Sequence, residues 1–204
     1  MTFPGPLPRP DAGPRVGGAL SDEVRRELLS RRVVLVHGLL DDDLVAETAA
    51  TLMMLDAAGD GRVDLRLIAA DGSIDHGLVL MDVIGVLGVP VDVAAGGTVA
   101  GAAVGVLAAG RHRTLAPHAR LHLREPDGTV AGRVVEIERT FAAQVAQRER
   151  FFGWIARCTG RDRAVVESDW QASRSLEPAD AVTLGYADEV EETGGHRAGG
   201  DDGA

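Results

Sequence analysis

Residues that could carry out catalysis are few in this chain, and their spacing forms no standard nucleophile site. None of the serines lies in a G-x-S-x-G elbow. The single cysteine, Cys158, excludes an internal disulfide and a cysteine zinc site, and the lack of lysine excludes Schiff-base chemistry. Three histidines lie close together, but no further metal ligands can be assigned, so we expect neither a metal nor a cofactor. These histidines are His112, His118 and His122.

The glycine-rich stretch from Gly96 to Gly110 predicts a strand that turns directly into a buried helix. Gly96 and Gly97 can adopt positive φ, and the residues that follow are apolar on every face, so this helix must be enclosed. Many enzymes mount a nucleophile on such an elbow, but here position 101 is glycine. These glycines could instead cradle a phosphate, but without a P-loop lysine or a G-x-G-x-x-G run, close packing of helix on strand is the favoured explanation.

Alternating strand and helix patterns surround this stretch and predict an α/β fold. Repeated pairs of this length imply right-handed βαβ crossovers and a parallel sheet. The predicted strands cover residues 33–36, 63–70, 91–94, 111–116, 121–123 and 185–190. The predicted helices cover residues 22–30, 41–57, 74–88, 100–109, 134–158 and 162–170, and another begins at 177. We expect one domain over residues 21–192, a flexible arm at 1–20 and a disordered tail at 193–204.

The pattern over residues 134–158 predicts the longest helix, with a length of about 37 Å. A domain of this size does not need so long a helix to cover its own sheet. The helix either lies on the surface with a partly exposed apolar face, or projects and packs against a partner subunit. We favour the second interpretation because the helix carries most of the aromatic residues, which are common at interfaces.

The charge and the terminal segments limit the partners of the chain. A formal net charge of −10 disfavours nucleic acids and acidic membranes as partners. The apolar runs are too short and too rich in Gly and Ala for membrane spans, and the proline-rich N-terminal segment lacks the apolar core of a signal peptide. With a lone cysteine, these features predict a soluble cytoplasmic protein with neither a nucleic-acid nor a membrane partner.

Several short segments, in their order and spacing, resemble the Clp protease proteolytic subunit over about residues 22–190. This family comprises serine peptidases with the crotonase-like fold. The resemblance implies a head domain of βαβ repeats and a protruding handle helix, with the handle at about residues 124–158. The matching segments are Arg26–Leu35, Ile68–Gly77, Leu107–Gly110, Pro117–Arg120, Glu125–Pro126, Thr159–Arg161 and Leu176–Val190.

The resemblance also implies that all three catalytic positions of the family are replaced. The nucleophilic serine falls on Gly101, the histidine base on Arg124 and the orienting aspartate on Ser173. Glycine has no nucleophilic atom, and the arginine guanidinium stays protonated, so it cannot accept a proton. A serine cannot stabilise an imidazolium as a carboxylate does. The family's catalytic chemistry therefore cannot run at these positions.

The oxyanion hole of the family corresponds to backbone N–H groups near Gly72 and Ala102. Asp71 in the same loop has two interpretations. Its carboxylate either opposes a developing oxyanion or caps the following helix, and we favour the cap. Arg124 in turn could pair with an acid in place of the lost triad. The candidate partners of Arg124 are Asp71, Glu125 and Asp169.

The resemblance implies a catalytically inactive subunit that shapes a Clp-type barrel. Such a subunit would assemble with itself or with an active paralogue into heptameric or tetradecameric rings. It could also dock an AAA+ unfoldase, although the prolines of the N-terminal arm depart from the family pattern there. The alternative is residual ATP-dependent serine endopeptidase activity, with Ser73 or Thr98 as a relocated nucleophile and His122 as base. A crotonase-fold enzyme acting on an acyl-CoA ranks last, because it has no use for the handle.

Overall fold

The computed structural model describes residues 21–124 and 134–192, which form seven helices and eight strands. The helices are α1 (Asp22–Ser30), α2 (Asp42–Ala57), α3 (Ile74–Val86), α4 (Ala102–Ala108), α5 (Val134–Thr159), α6 (Arg163–Gln171) and α7 (Pro178–Thr183). The strands are β1 (Val33–Leu40), β2 (Val63–Gly72), β3 (Val91–Gly96), β4 (Thr98–Ala100), β5 (Arg113–Leu115), β6 (Arg120–His122), β7 (Ser175–Leu176) and β8 (Glu189–Val190).

The strands form two sheets. The main sheet has the order β1-β2-β3-β5-β8, and its neighbouring strands pair in parallel. The predicted α/β fold with a parallel sheet is therefore confirmed. A second sheet has the order β4-β6-β7, in which β4 and β6 are parallel and β7 is antiparallel. The chain enters it through Gly97, which has a φ of +67°.

Side-chain caps start α1, α2 and α6 within one residue of the predicted helix starts. Ser21 accepts a hydrogen bond from the Val24 backbone N–H at the start of α1. Asp41 and Asp162 begin α2 and α6 in the same way. These caps satisfy first-turn N–H groups that have no acceptor within the helix.

The structure corrects several predicted boundaries. Strand β1 continues past the predicted end at 36 to Leu40, with a register shift next to Gly38. Strand β2 continues to Gly72, and the last strand, β8, is only two residues long. The two-residue β7 was not predicted. The glycine-rich stretch does not pass directly from strand to helix, because β4 lies between Gly97 and α4.

Helix α4 is enclosed on all sides, as predicted, and all seven of its residues are buried. Glycines allow its neighbours to approach closely. A Cβ atom added at Gly105 would overlap the Phe151 ring and lie 2.9 Å from Met81 Sδ. A Cβ atom at Gly77 of α3 would lie 2.6 Å from the Ala102 Cβ. The backbone distances between α3, α4 and α5 therefore require residues without side chains at these contacts.

The two halves of α5 have different surroundings. Phe151, Phe152 and Ile155 are fully buried, and both phenylalanine rings pack edge-on against Trp170 of α6. Further towards the N-terminus, Phe141 remains 63% exposed. Most aromatic side chains of α5 and α6 thus belong to the core of this chain. The expectation that they form an interface is wrong for Phe151 and Phe152, and only Phe141 has the exposure that an interface residue needs.

Three predicted segments lie outside the described residues. They are the arm at 1–20, the extended part of the handle at 125–131 and the tail at 193–204. Among the residues that the structure describes, no helix combines the length and the apolar character needed to cross a membrane.

Replacement of Gly105 by alanine should destabilise the fold. The added methyl group overlaps Phe151 and Met81 in a filled core, and overpacking of this kind costs about 1–3 kcal/mol. The matched control is Gly153→Ala in α5, where the new Cβ atom would meet only Arg157 Nη1 at 3.8 Å. That control should be neutral or stabilise the protein by up to about 1 kcal/mol. Chemical denaturation of both variants measures the difference, and equal stabilities would contradict the packing described for α4.

Acid should weaken the attachment of β8 to the main sheet. Hydrogen bonds from Arg113 hold the pKa of Asp188 below its ordinary value, and they outweigh partial burial, which acts to raise it. A lowered pKa in the folded state means that this stabilisation is present above about pH 4 and is lost as the pH falls through the folded-state pKa.

The variant Asp188→Asn should be less stable at pH 7 by about 1–2 kcal/mol, because a charge-assisted hydrogen bond is lost. Its free energy of unfolding should also fall less steeply below pH 4 than that of the parent. Urea titrations at several pH values measure both effects. Asp60→Asn, at an exposed carboxylate without a hydrogen bond to any described residue, serves as the control and should follow the parent curve. A parallel decline of Asp188→Asn and the parent would argue against the assignment.

Candidate functional site

The small sheet brings the three predicted catalytic positions to one of its edges. Gly101 follows β4 and Arg124 lies two residues after β6, so both lie at the carboxyl ends of parallel strands. Ser173 precedes the antiparallel β7, whose amino end lies at the same edge. The Leu123 N–H donates to the Arg174 carbonyl across these strands at 2.8 Å. The fold therefore gathers the three predicted positions at one end of the small sheet.

Gly101 has the backbone of an elbow but no room for a side chain. Its φ and ψ are +52° and −138°, a conformation that residues with a Cβ atom rarely adopt. An added Cβ atom would lie 2.6 Å from Asp71 Oδ1 and 3.0 Å from the Gly72 carbonyl oxygen. The side chain of Asp71 thus occupies the space next to the place where a nucleophile would stand.

The carboxylate of Asp71 is held in place from two sides. Its Oδ1 accepts a hydrogen bond of 2.7 Å from the Gly72 backbone N–H, and its Oδ2 forms an ion pair with Arg124 Nη2. Both side chains of the pair are about one-third exposed. We refer to Gly101, Asp71, Gly72 and Arg124 as the elbow site. The Gly72 N–H that was predicted to serve an oxyanion therefore already binds an anionic oxygen.

Asp71 does not cap the following helix, which corrects the interpretation favoured from the sequence. The N-cap of α3 is Ser73, whose Oγ accepts from the His76 backbone N–H. Of the three predicted partners of Arg124, Asp71 is the one that the structure pairs with it. Asp169 instead pairs with Arg161 and Arg174, and Glu125 lies outside the described residues. The other predicted oxyanion position, Ala102, is the buried first residue of α4.

Ser173 lies on an exposed turn next to the elbow site. Its φ is +48°, and its backbone N–H donates to the Trp170 carbonyl at 3.0 Å. Asp169 anchors this turn. Partial burial acts to raise the pKa of Asp169, but hydrogen bonds from Arg161 and Arg174 outweigh it and lower that pKa. The turn is therefore fixed by ion pairs around Asp169, and the Ser173 side chain makes no hydrogen bond to a described residue.

The structure does not bring His122 together with the predicted alternative nucleophiles. The Nδ1 atom of His122 lies 2.8 Å from the Ser175 hydroxyl, one strand away. Ser73 instead lies beside His76, and Thr98 is an exposed residue of β4 paired with Arg120. No group of three or more metal-ligating side chains occurs within residues 21–124 and 141–192, whose side chains the structure describes.

Comparison with known proteins identifies the family to which this arrangement belongs. The model of the Clp protease family matches residues 17–194. The chain belongs to the Clp protease family. The "ATP-dependent Clp protease proteolytic subunit 3" of Streptomyces avermitilis is 28% identical over 93% of this chain and 87% of its own length. The "ATP-dependent Clp protease proteolytic subunit 2" of Mycolicibacterium paratuberculosis is 30% identical over 87% of this chain and 90% of its own length.

The chemistry available at the elbow site differs from that of a serine peptidase of the Clp protease family. Acyl transfer needs a nucleophilic atom, a base and free N–H donors for the oxyanion. The elbow site offers a glycine, a permanent cation and an N–H group that already binds a carboxylate. Its ion pair joins the carboxyl end of β2 to the segment that follows β6.

The variant Gly101→Ala should destabilise the protein by roughly 1–3 kcal/mol, because it adds backbone strain and displaces the Asp71 carboxylate. In an Asp71→Ala background, this cost should shrink by about 1 kcal/mol, since the obstructing oxygen is gone. Chemical denaturation of the two single variants and the double variant yields the coupling energy.

Gly160→Ala is the matched control. Gly160 also has a positive φ, of +66°, but an added Cβ atom there meets nothing within 4 Å. Its cost should be the same in both backgrounds. Additive effects of Gly101→Ala and Asp71→Ala would show that the Asp71 carboxylate does not obstruct a side chain at position 101.

Proposed function

We propose that this chain is a peptidase-inactive subunit of a Clp-type barrel. The observation that carries the proposal is the Asp71 carboxylate, which lies against Gly101 and is held by Gly72 and Arg124. This carboxylate thereby crowds the position of a nucleophile's side chain and binds an N–H group assigned to the oxyanion hole. In the family alignment, Gly101 falls at the position of the nucleophilic serine and Arg124 at that of the histidine base. These replacements support a structural rather than a proteolytic role.

The proposed role is the assembly of rings, either with itself or with an active paralogue, in heptameric or tetradecameric form in the cytoplasm. Relatives of this chain are named as proteolytic subunits of ATP-dependent Clp proteases, so an AAA+ unfoldase is the proposed axial partner. The proposed domain spans residues 21–192, with the handle at about 124–158. Support for the handle comes from α5, whose C-terminal half is anchored in the core while Phe141 and Val145 remain exposed.

Native mass spectrometry of this chain, alone and after refolding with an active paralogue, tests the proposal. We expect mixed double rings that contain both subunits. In these rings, Phe141→Asp should shift the population from double to single rings, because it places a charge on an apolar handle surface.

The control is Val86→Asp on α3, outside the handle. Val86 is 77% exposed, which is more than Phe141. It should leave the ratio of double to single rings unchanged. A stable monomer under both conditions would remove the proposed function. An equal effect of the two variants would contradict the role of the handle.

A further inference from the structure

Three polar side chains form a hydrogen-bonded chain at the adjoining N-termini of α2 and α3, outside the elbow site. The Oγ atom of Ser73 lies 3.0 Å from His76 Nδ1, and His76 Nε2 lies 2.9 Å from Asp42 Oδ1. Ser73 and His76 are partly buried, whereas Asp42 is fully exposed. A serine, a histidine and an aspartate thus follow one another in the order found in hydrolytic enzymes.

The partners of the imidazole determine which nitrogen carries its proton. A carboxylate only accepts hydrogen bonds, so His76 Nε2 must carry the proton that Asp42 receives. In the neutral ring, Nδ1 is then an acceptor, and it faces the Ser73 hydroxyl. His76 is therefore held in the tautomer that can take a proton from Ser73.

The arrangement exceeds what a helix cap requires. To cap α3, Ser73 only has to accept the backbone N–H of His76, which it does at 3.4 Å. The imidazole ring and the carboxylate on a second helix are additional. The sequence signal for the first pair is Ser-x-x-His across a helix start. Asp42 lies 34 residues from His76 in the sequence, so only the fold reveals it.

A second serine and histidine pair provides an internal comparison. His122 Nδ1 lies 2.8 Å from Ser175 Oγ, as close as in the first pair. Within the described part of the chain, however, no carboxylate contacts the other ring nitrogen of His122. Its tautomer is not fixed, and the pair lacks the third member that holds His76.

We propose that Ser73 is a nucleophile towards small activated esters and phosphonyl fluorides, with His76 as its base and Asp42 as a positioning residue. In the reaction with an ester, the Ser73 Oγ–carbon bond forms as the proton moves to His76 Nδ1. The bond to the leaving alkoxide breaks, and the alkoxide takes that proton. Water then hydrolyses the acyl-serine by the reverse sequence. With a phosphonyl fluoride, the Oγ–phosphorus bond forms as the Ser73 proton moves to His76 Nδ1, the phosphorus–fluorine bond breaks, and fluoride leaves.

The neighbouring charges define the class of substrate. Asp41 and Asp43 flank Asp42 in the sequence, and Asp75 lies two residues after Ser73 in the first turn of α3, so further carboxylates adjoin both ends of the hydrogen-bonded chain. Neutral or cationic esters are therefore favoured over anionic ones. Amides are excluded, because their poor leaving group needs strong oxyanion stabilisation and Asp71 already binds the nearby Gly72 N–H.

A neutral fluorophosphonate probe, with peptide mass spectrometry to locate the adduct, tests this inference on the full chain. We expect the label on Ser73 and not on Ser175. The variant His76→Gln, which keeps the nucleophile in place, should slow labelling at least about tenfold. Hydrolysis of p-nitrophenyl acetate should fall by a similar factor.

Asp42→Asn should slow labelling several-fold, and Asp42→Glu should restore part of the rate. The matched control is Asp43→Asn, which removes the same charge from the same turn of α2 at a side chain without a described partner. It should leave the labelling rate and the melting temperature unchanged.

The absence of an adduct on Ser73, equal labelling of Ser175, or an unchanged rate in His76→Gln would each overturn the inference. It does not rest on the proposed ring function. Labelling of Ser73 and the formation of mixed rings are measured by separate experiments, so the two proposals can fail separately.

Discussion

The close packing around helix α4 is the constraint on which the rest of the structure depends. The helix is buried along its whole length, so every neighbour must approach its backbone. Gly77 admits Ala102, and Gly105 admits the Phe151 ring that ties α5 to the core. Gly101 continues the same series at the helix start, where the Asp71 carboxylate approaches it. The glycine at position 101 is thus part of a larger pattern of small residues that holds the layers together.

The ion pair between Asp71 and Arg124 matters for where it lies more than for its energy. Both side chains are partly exposed, so the pair contributes only about 1 kcal/mol or less to stability. Its position has the larger consequence. It links the carboxyl end of β2 to the segment just after β6, and it directs a carboxylate oxygen at the Gly72 N–H. An arginine and an aspartate thereby keep the two segments together without any of the groups that acyl transfer requires.

The sequence predicts the main elements well because their signals are local. The caps Ser21, Asp41 and Asp162 and the apolar periodicity locate the helices, and the runs of valine and leucine locate the central strands. The two-residue β7 and the three-residue β4 lack such a signal, so neither strand is predicted, and the expected helix begins at residue 100, inside β4.

At the site, the sequence indicated that Gly101 and Arg124 stand at the catalytic positions and named Asp71 among the partners of Arg124. It could not choose the partner, because the choice depends on how β2 and β6 come together in space. The same reason applies to Asp42 and His76, which lie on different helices and meet only in the folded chain.

The most direct test of the account is peptide hydrolysis by mixed rings in which the serine nucleophile of the active paralogue is replaced by alanine. Any turnover of a fluorogenic peptide in these rings must come from this chain. If this chain is inactive as a peptidase, we expect no turnover above that of paralogue rings with the same replacement. Turnover that requires this chain, in rings whose composition is verified by native mass spectrometry, would contradict it.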